Sequence, residues 1–495
     1  MSSISVNNLT FGYDGSLDNV FENVSFNLDT DWKLGLIGRN GKGKTTFLKL
    51  LQGKYEYSGT ISKSVDVDYF PFEIKNKEQM AIEVVNEIAP SVADWEIIKE
   101  LNLLNTDSEI LYRNFNLLSG GEQVKVLLIS LFLKGNNFLL IDEPTNHLDS
   151  ETRDSLVNYL KRKKGFIVVS HDRNFLDKVV DHIISINNTN IEIQQGNFSS
   201  WKENKDRLDN FELTQNEKLQ KDINRLEASA RSVANWSNEG EKSKYKSGNS
   251  SEGMIDRGYV GHKAAKVMKN AKSMEQRISK EIDEKSNLLK NIDRNDSLKI
   301  IPIESRKNPI ILANNLQIEY GGNAIFSKVS FEVENGDRIA ISGKNGIGKS
   351  SILKLIVGEE IEYRGEIKIA NDLKISYVSQ STEHLKGSLK SFVQESRVEE
   401  SVFRAMLSKM GFSKLDFETS LEQMSEGQKK KVLIAKSISE QANVYVWDEP
   451  LNYIDILTRE QIEDAILKYK PTLIFVEHDK TFVDNVATKI TYLNH

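Results

Sequence analysis

Residues 38–45 (GRNGKGKT) and 343–350 (GKNGIGKS) set glycines, a lysine and a hydroxyl at the same spacing twice in one chain. Glycines let backbone N–H groups curl around a phosphate, the following helix points its N-terminus at the same charge, and the lysine reaches the outer phosphates. The residues so marked are Gly38, Asn40, Gly41, Gly43, Lys44, Thr45 and Thr46 in the first copy. In the second they are Gly343, Asn345, Gly346, Gly348, Lys349, Ser350 and Ser351.

Further motifs follow each loop. LLSGGEQ (117–123) opens an apolar helix with Ser119, Gly120 and Gly121, a second helix N-terminus suited to phosphate. FLLIDEP (138–144) reads as a buried strand ending in Asp142 and Glu143, then TNHLD leads to Asp149 and IVVSHD to His171. Carboxylates at a strand end suit metal and water. Thr45 and Asp142 would hold Mg²⁺, Glu143 would orient or deprotonate an attacking water, and His171 would contact the γ-phosphate, so the implied reaction is hydrolysis of ATP. The second copy repeats every station: Ser350, Gln380, MSEGQ with Ser425, Gly427 and Gln428, then YVWDEP with Asp448 and Glu449, Asp455 and His478.

The elements these motifs demand are those of an α/β protein built by duplication. LGLIG (34–38) reads as strand and TTFLKLL (45–51) as helix, the strand, loop and helix order the first loop requires. Lys44 and Lys349 lie 305 positions apart, and five later landmarks recur at offsets of 306 or 307, which marks a tandem repeat. The division this predicts is a first ATPase domain over 1–200, a linker over 201–304 and a second ATPase domain over 305–495.

Composition sets outer bounds. A chain of 495 residues with 39% hydrophobic and 28% charged residues fits about three soluble globular domains. With no cysteine, disulfides and thiolate metal sites are excluded. The N-terminus lacks the charged and apolar regions of a secretion signal, and the longest nearly apolar run, 126–133, is far short of the roughly 20 residues that cross a bilayer. A cytoplasmic, membrane-free protein is expected.

Between the repeats the chain becomes charged and proline-free. Leu208, Phe211, Leu219, Ile223, Leu226, Ala230 and Val233, and then Met274, Ile278, Ile282 and Leu289, recur at helical spacing. Residues 237–262 between them are rich in glycine and serine, so an antiparallel helical hairpin with its tip there is predicted. A first helix of about 40 residues would extend on the order of 55 Å, so the linker is expected to project. Residues 241–280 hold ten Lys or Arg against four acids, net +6; the whole chain is −6, which leaves −12 elsewhere. A basic tip on an acidic body suits a polyanion, RNA above all, with Lys242, Lys244, Tyr245, Lys246, Met254, Ile255, Arg257, Tyr259 and Lys263 as candidate contacts.

LSGGE and MSEGQ upstream of DEP, with His171 and His478 after a further strand, make residues 1–200 and 305–495 resemble ATP-binding-cassette domains. That resemblance implies head-to-tail closure within one monomer. Lys44 and Glu143 would share an ATP with Ser425 and Gly427, and Lys349 and Glu449 would share one with Ser119 and Gly121. It also implies that Tyr13 and Tyr320 stack on adenine and that Gln380 ligates magnesium.

Two positions depart from the pattern. Phe72 stands where the first cassette would carry the glutamine, and Glu426 replaces the first signature glycine of the second. Both fall in the Lys44 composite site, where Glu426 would repel phosphate, so slower turnover there is expected unless the changes are tolerated drift with Glu73 or a water substituting.

Twin cassettes joined by such a linker resemble the ABC-F family, and WKLGLIGRNGKGKTT, DEPLNYID and AAKVMK resemble its Lsa-type resistance members. With 75 and 76 positions from lysine to signature serine, and 17 residues after His478, no large arm or C-terminal extension is expected. The resemblance implies a protein that binds the bacterial 70S ribosome near the E-site when loaded with ATP. Its linker would reach P-site tRNA and 23S rRNA at the peptidyl-transferase centre and displace lincosamides, pleuromutilins or streptogramin A, and hydrolysis would release it. A housekeeping ABC-F factor for stalled ribosomes and, more distantly, a fused ATPase subunit of a transporter are the competing readings.

Overall fold

The computed structural model describes residues 2–13, 19–135, 137–145, 148, 150–187, 190–246, 273–274, 277–278, 280, 297–321, 323–344 and 346–494. Two units separate: residues 1–201 with 295–495, which hold both cassettes, and residues 202–294.

Each cassette pairs a parallel sheet with an antiparallel one. In the first, the strand order is Asp66–Phe70, Asn137–Asp142, Phe166–Val169, Lys33–Ile37, His182–Asn187 and Asn190–Gln195, parallel except for the last. The second repeats the order with Ile375–Val378, Val444–Asp448, Leu473–Val476, Arg338–Ser342 and Lys489–Tyr492, all parallel. Strands covered on both faces must be apolar throughout, as Phe138, Leu139, Leu140 and Ile141 are, each no more than 1% exposed. The loops after Ile37, Asp142 and Val169 therefore emerge together at the carboxyl edge, where open α/β sheets bind ligands.

A helical layer packs on each sheet: Ala81–Ile88, Asp94–Leu103 and Gly120–Lys134 in the first cassette, Leu389–Ser396, Glu400–Lys409 and Glu426–Ser439 in the second. The signature helices start where the sequence places them, capped by Ser119 and Ser425, whose hydroxyls accept from the N–H groups of Glu122 and Gln428. Residues 298–303, assigned to the linker from sequence, join the second cassette. Leu298 and Ile300 enter its core, and Ile303 N–H donates to Ala442 O.

In the other unit the first helix runs from Phe198 to Lys246. It continues ten residues past the expected start of the tip, because an isolated glycine such as Gly240 costs a helix only about 1 kcal/mol. Leu219, Ile223 and Leu226 form its inward stripe, while Leu208 and Phe211 are exposed. Met274 and Ile278 are helical, and Ile278 is buried. Positions 242–246 thus fall on helix rather than loop; Met254, Ile255, Arg257, Tyr259, Lys263, Ile282 and Leu289 lie outside the described residues.

One buried ion pair stands out. Lys431 Nζ lies 2.6 Å from Asp455 Oδ2 with side chains 4% and 0% exposed. Removing one partner strands a charge, so Lys431→Met should cost about 3–5 kcal/mol, whereas Lys431→Met with Asp455→Leu should cost clearly less. Urea unfolding of the three proteins measures this, and equal losses would show that the pair itself stabilises.

Candidate functional site

Both lysine loops fold as backbone cradles. Gly43 and Gly348, the caps of the helices Lys44–Gln52 and Lys349–Val357, sit at φ 90° and 98°. A Cβ there would come 2.5 Å from Val20 and 2.2 Å from Ile325, so only glycine lets the loop close. Lys44 Nζ donates to Gly38 O (2.8 Å), Arg39 O (3.3 Å) and Asn40 Oδ1 (3.2 Å), and Lys349 Nζ to Gly343 O (2.8 Å) and Lys344 O (3.1 Å). Burial lowers the Lys44 pKa, opposed by Asp455 and Glu143.

Thr45 Oγ1 donates to Asp142 Oδ2 (3.0 Å), as expected for two groups sharing a cation, and Ser350 hydrogen-bonds Asp448. Among the described residues no cluster of three His or acidic side chains could cage a metal. One hydroxyl and one carboxylate per site instead fit Mg²⁺ that arrives with phosphate oxygens. Asp448 Oδ1 is buried without a hydrogen-bond partner, which leaves it an open ligand position.

The catalytic candidates are held under strain. Glu143 and Glu449 sit at φ 51° and 46°, where non-glycine residues cost about 1–3 kcal/mol, each with its N–H on the end of the neighbouring strand at Val169 O or Val476 O. Their surroundings differ. His171 Nε2 lies 3.1 Å from Glu143 Oε1, yet neither buried carboxylate oxygen has a well-aligned donor among the described residues. Burial, then Asp142, pushes Glu143 up to about 7. Burial also pushes on Glu449, but His478 (3.5 Å), Gln380 and Asn452 (2.7 Å) outweigh it and hold the carboxyl at about 2. His171 is held neutral, mainly by burial and then by Lys44.

The two departures resolve differently. Phe72 turns into the helical core of its cassette, and the group found beside Asp142 is Tyr69, whose Oη donates to Asp142 Oδ2 (2.8 Å). Glu426 lines the Lys44 cavity, but its carboxylate is tied by Thr382 Oγ1 and by Lys429 Nζ (3.0 Å), which blunts the repulsion expected from sequence.

The cassettes meet head to tail. Asn40 Nδ2 donates to Tyr453 O (2.7 Å), Asn40 N–H to Asp455 Oδ2 (3.3 Å) and Arg153 Nη1 to His478 O (2.9 Å), while Arg173 pairs with Glu463 (2.6 Å). A cavity of about 500 Å³ joins Tyr13, Lys44, Thr45, Asp142, Glu143 and His171 to Ser425, Glu426 and Gly427. A second, of about 420 Å³, joins Lys349, Ser350, Gln380, Glu449 and His478 to Thr145, Arg153 and Asp172. Ser119 and Gly121, expected across from Lys349, are not among its lining; Asn345, the counterpart of Asn40, lies outside the described residues. Tyr13 and Tyr320 are half exposed, each hydroxyl on the helix it flanks, at Thr46 (2.6 Å) and Ser351 (3.0 Å).

Comparison with known proteins decides the family. The ABC transporter family matches residues 21–146 and 326–452. The erythromycin resistance ATP-binding protein MsrA of Staphylococcus epidermidis is 30% identical over 476 residues, 92% of this chain and 91% of its own. The ribosome protection protein VmlR of Bacillus subtilis (strain 168) is 28% identical over 483 residues, covering 96% of this chain and 84% of its own. The chain belongs to the ABC-F family. It is accordingly an ATP hydrolase. Among solved structures, the archaeal ribosome recycling factor aABCE1, in complex with the stalk protein aP1, shares the fold at TM-score 0.61 and 19% identity over 98% of this chain and 87% of that one. No helix of the described residues is long and apolar enough to cross a membrane.

Residues that sequence reasoning missed are Tyr69, Asn452, Tyr453, Lys430, Lys431, Arg153 and Arg459. Several carried a signal: at the repeat offset Arg459 falls on Arg153, Lys431 on Lys125 and Asn452 on Asn146, while Lys430 is a cation where the repeat has the apolar Val124. Two outcomes follow for an ABC-F ATPase of this geometry. In Glu449→Gln protein, kcat/KM for ATP should rise through about pH 7 as Glu143 deprotonates, while Glu143→Gln protein should show no such limb between pH 5 and 8. The nucleotide's own titration is common to both profiles, so matching profiles would refute the contrast. Gly427→Ala would set a methyl 2.6 Å from Tyr453 O and 2.7 Å from Asn40 Nδ2, and at least a tenfold fall in steady-state hydrolysis is expected.

Proposed function

We propose that this chain is an antibiotic-resistance ATPase that protects the ribosome. Bound ATP closes the cassettes into a clamp that docks near the E-site of the bacterial 70S ribosome. The basic linker end then reaches P-site tRNA and 23S rRNA and displaces a lincosamide, pleuromutilin or streptogramin A, and hydrolysis releases the monomer into the cytoplasm. The observation that carries this reading is the end-to-end likeness to VmlR and MsrA, which spans the segment between the cassettes as well as the cassettes themselves.

The chemistry assigns roles to residues already placed. Tyr13 and Tyr320 stack on adenine, the lysine loops hold the phosphates, and Ser425 and Gly427 close on the Lys44 site from the opposite cassette. Ser119, Gly121 and the rest of the first signature would approach the Lys349 site on tighter closure. Thr45 and Asp142, and in the second site Ser350, Asp448 and Gln380, would hold magnesium, which would supply charge neutralisation at the outer phosphates. Glu143 and Glu449 each align a water whose oxygen bonds to the γ-phosphorus as the bond to the β–γ bridging oxygen breaks; Glu143 takes the water's proton, and at Glu449 that proton passes to the departing phosphate. His171 and His478 steady the γ-phosphate.

A housekeeping translation factor is the second reading, since the likeness is not confined to resistance proteins: the ATP-binding protein Uup of Buchnera aphidicola subsp. Acyrthosiphon pisum (strain APS) is also 28% identical, over 99% of this chain and 80% of its own. Expression of wild type in a sensitive bacterium should raise tolerance to at least one of the three drug classes. The Glu143→Gln, Glu449→Gln double variant should lose that tolerance and co-pellet with ribosomes in ATP. Pelleting without tolerance would favour the housekeeping role, and no pelleting would sink both.

A further inference from the structure

We propose that Glu426 and Lys430 form a polar relay by which turnover at the Lys349 site releases the nucleotide held at the Lys44 site. The inference rests on the ATP-site assignment above and adds a communication path to it.

Helix Glu426–Ser439 touches both sites. Its first residues, with the cap Ser425, line the Lys44 cavity. One turn on, Lys430 is 2% exposed and donates to Ser379 O (2.9 Å) and Glu449 O (3.2 Å), backbone atoms that flank Gln380 and the catalytic carboxylate of the other site. Gln380 hydrogen-bonds the Glu449 side chain, and Thr382, two residues further, donates to Glu426. Segment 379–382 is thus fixed at one end to the groups that face the Lys349 phosphates. At two points it is fixed to the helix that closes the Lys44 site.

The first cassette has no counterpart. The repeat aligns Gly120 with Glu426 and Val124 with Lys430 at an offset of 306. Tyr69 and Tyr377 pair two residues before Asp142 and Asp448, which aligns Phe72 with Gln380 and Ile74 with Thr382. Phe72, Ile74 and Val124 all pack against the first helical core. Apolar contacts slide over one another at small cost, whereas a hydrogen-bonded buried ammonium resists losing its partners. A shift of Gln380 and Glu449 on loss of the γ-phosphate is therefore passed to Ser425–Gly427, and the reverse path through helix Gly120–Lys134 lacks such links.

The test uses full-length Glu143→Gln protein, in which ATP at the Lys44 site stays intact while the Lys349 site turns over. After loading with α-labelled ATP and chasing with unlabelled ATP, the loss of bound intact ATP is compared with phosphate released over the same interval. Lys430→Val and Glu426→Gly, each introducing the first cassette's own residue, should raise phosphate released per ATP lost by at least about fivefold, the lower end of typical site coupling. Glu426→Gln keeps an acceptor for Thr382 and should leave the ratio at its parent value. A merely structural role would change both rates together and leave the ratio unmoved, and an unmoved ratio in either variant overturns the relay. Failure of Glu143→Gln protein to retain intact ATP would overturn the Lys44-site assignment and the relay with it.

Discussion

Everything at the carboxyl edge of these sheets answers to one constraint, an ammonium group held out of water. Lys44 and Lys349 are 9% and 7% exposed. Their hydrogens go to loop carbonyls, and in the first site to the Asn40 amide as well. Carbonyl dipoles satisfy the geometry of a buried lysine without cancelling its charge, so the field of the site remains positive and selects an anion. The glycines, the helix N-termini and the left-handed glutamates follow from it. Each brings a donor or a carboxylate within reach of the phosphates such a charge attracts without placing a carboxylate on the lysine itself.

The same scaffold then produces two electrostatically different sites through neighbours a few ångströms from the chemistry. Gln380 and Asn452 supply donors to Glu449 and stabilise its charged form. The first cassette has Phe72 where Gln380 stands, so burial dominates at Glu143 and its carboxyl rises. A carboxylate near 7 is well matched to taking a proton at neutral pH, while one near 2 is better suited to orienting water than to accepting from it. The two sites therefore differ at Glu143 and Phe72, whereas repulsion from Glu426 is blunted by Thr382 and Lys429.

Much of this was legible in sequence because the motifs are local. A phosphate loop, a capped helix and a strand ending in Asp-Glu are each written within about ten residues, and their repetition fixed the order of elements. What was not legible depends on contacts between distant segments. Thr382 meets Glu426 across 44 positions and Tyr69 meets Asp142 across 73, and neither pairing leaves a periodic trace. The last ten residues of the helix that runs to Lys246 were missed for a different reason: a glycine and serines weaken local propensity without abolishing a helix, and composition alone marks them as loop.

The buried ion pair also bears on the seam between the cassettes. Asp455 gives one oxygen to Lys431 and, more weakly, to the Asn40 N–H across the seam, while its other oxygen caps helix Ile456–Tyr469 at Thr458. Burial would raise its pKa, but Lys431 and Lys44 hold it well below the usual carboxylate range, so it is ionised at any pH the protein meets in a cell. Apolar residues of the same volume would pack as well but would not distinguish one register of the two cassettes from another. A fixed charge that must find the loop amide does distinguish them. Closure at the Lys44 site is thereby set by a group that does not titrate near neutrality, and the pH response is left to Glu143, where the bond is broken.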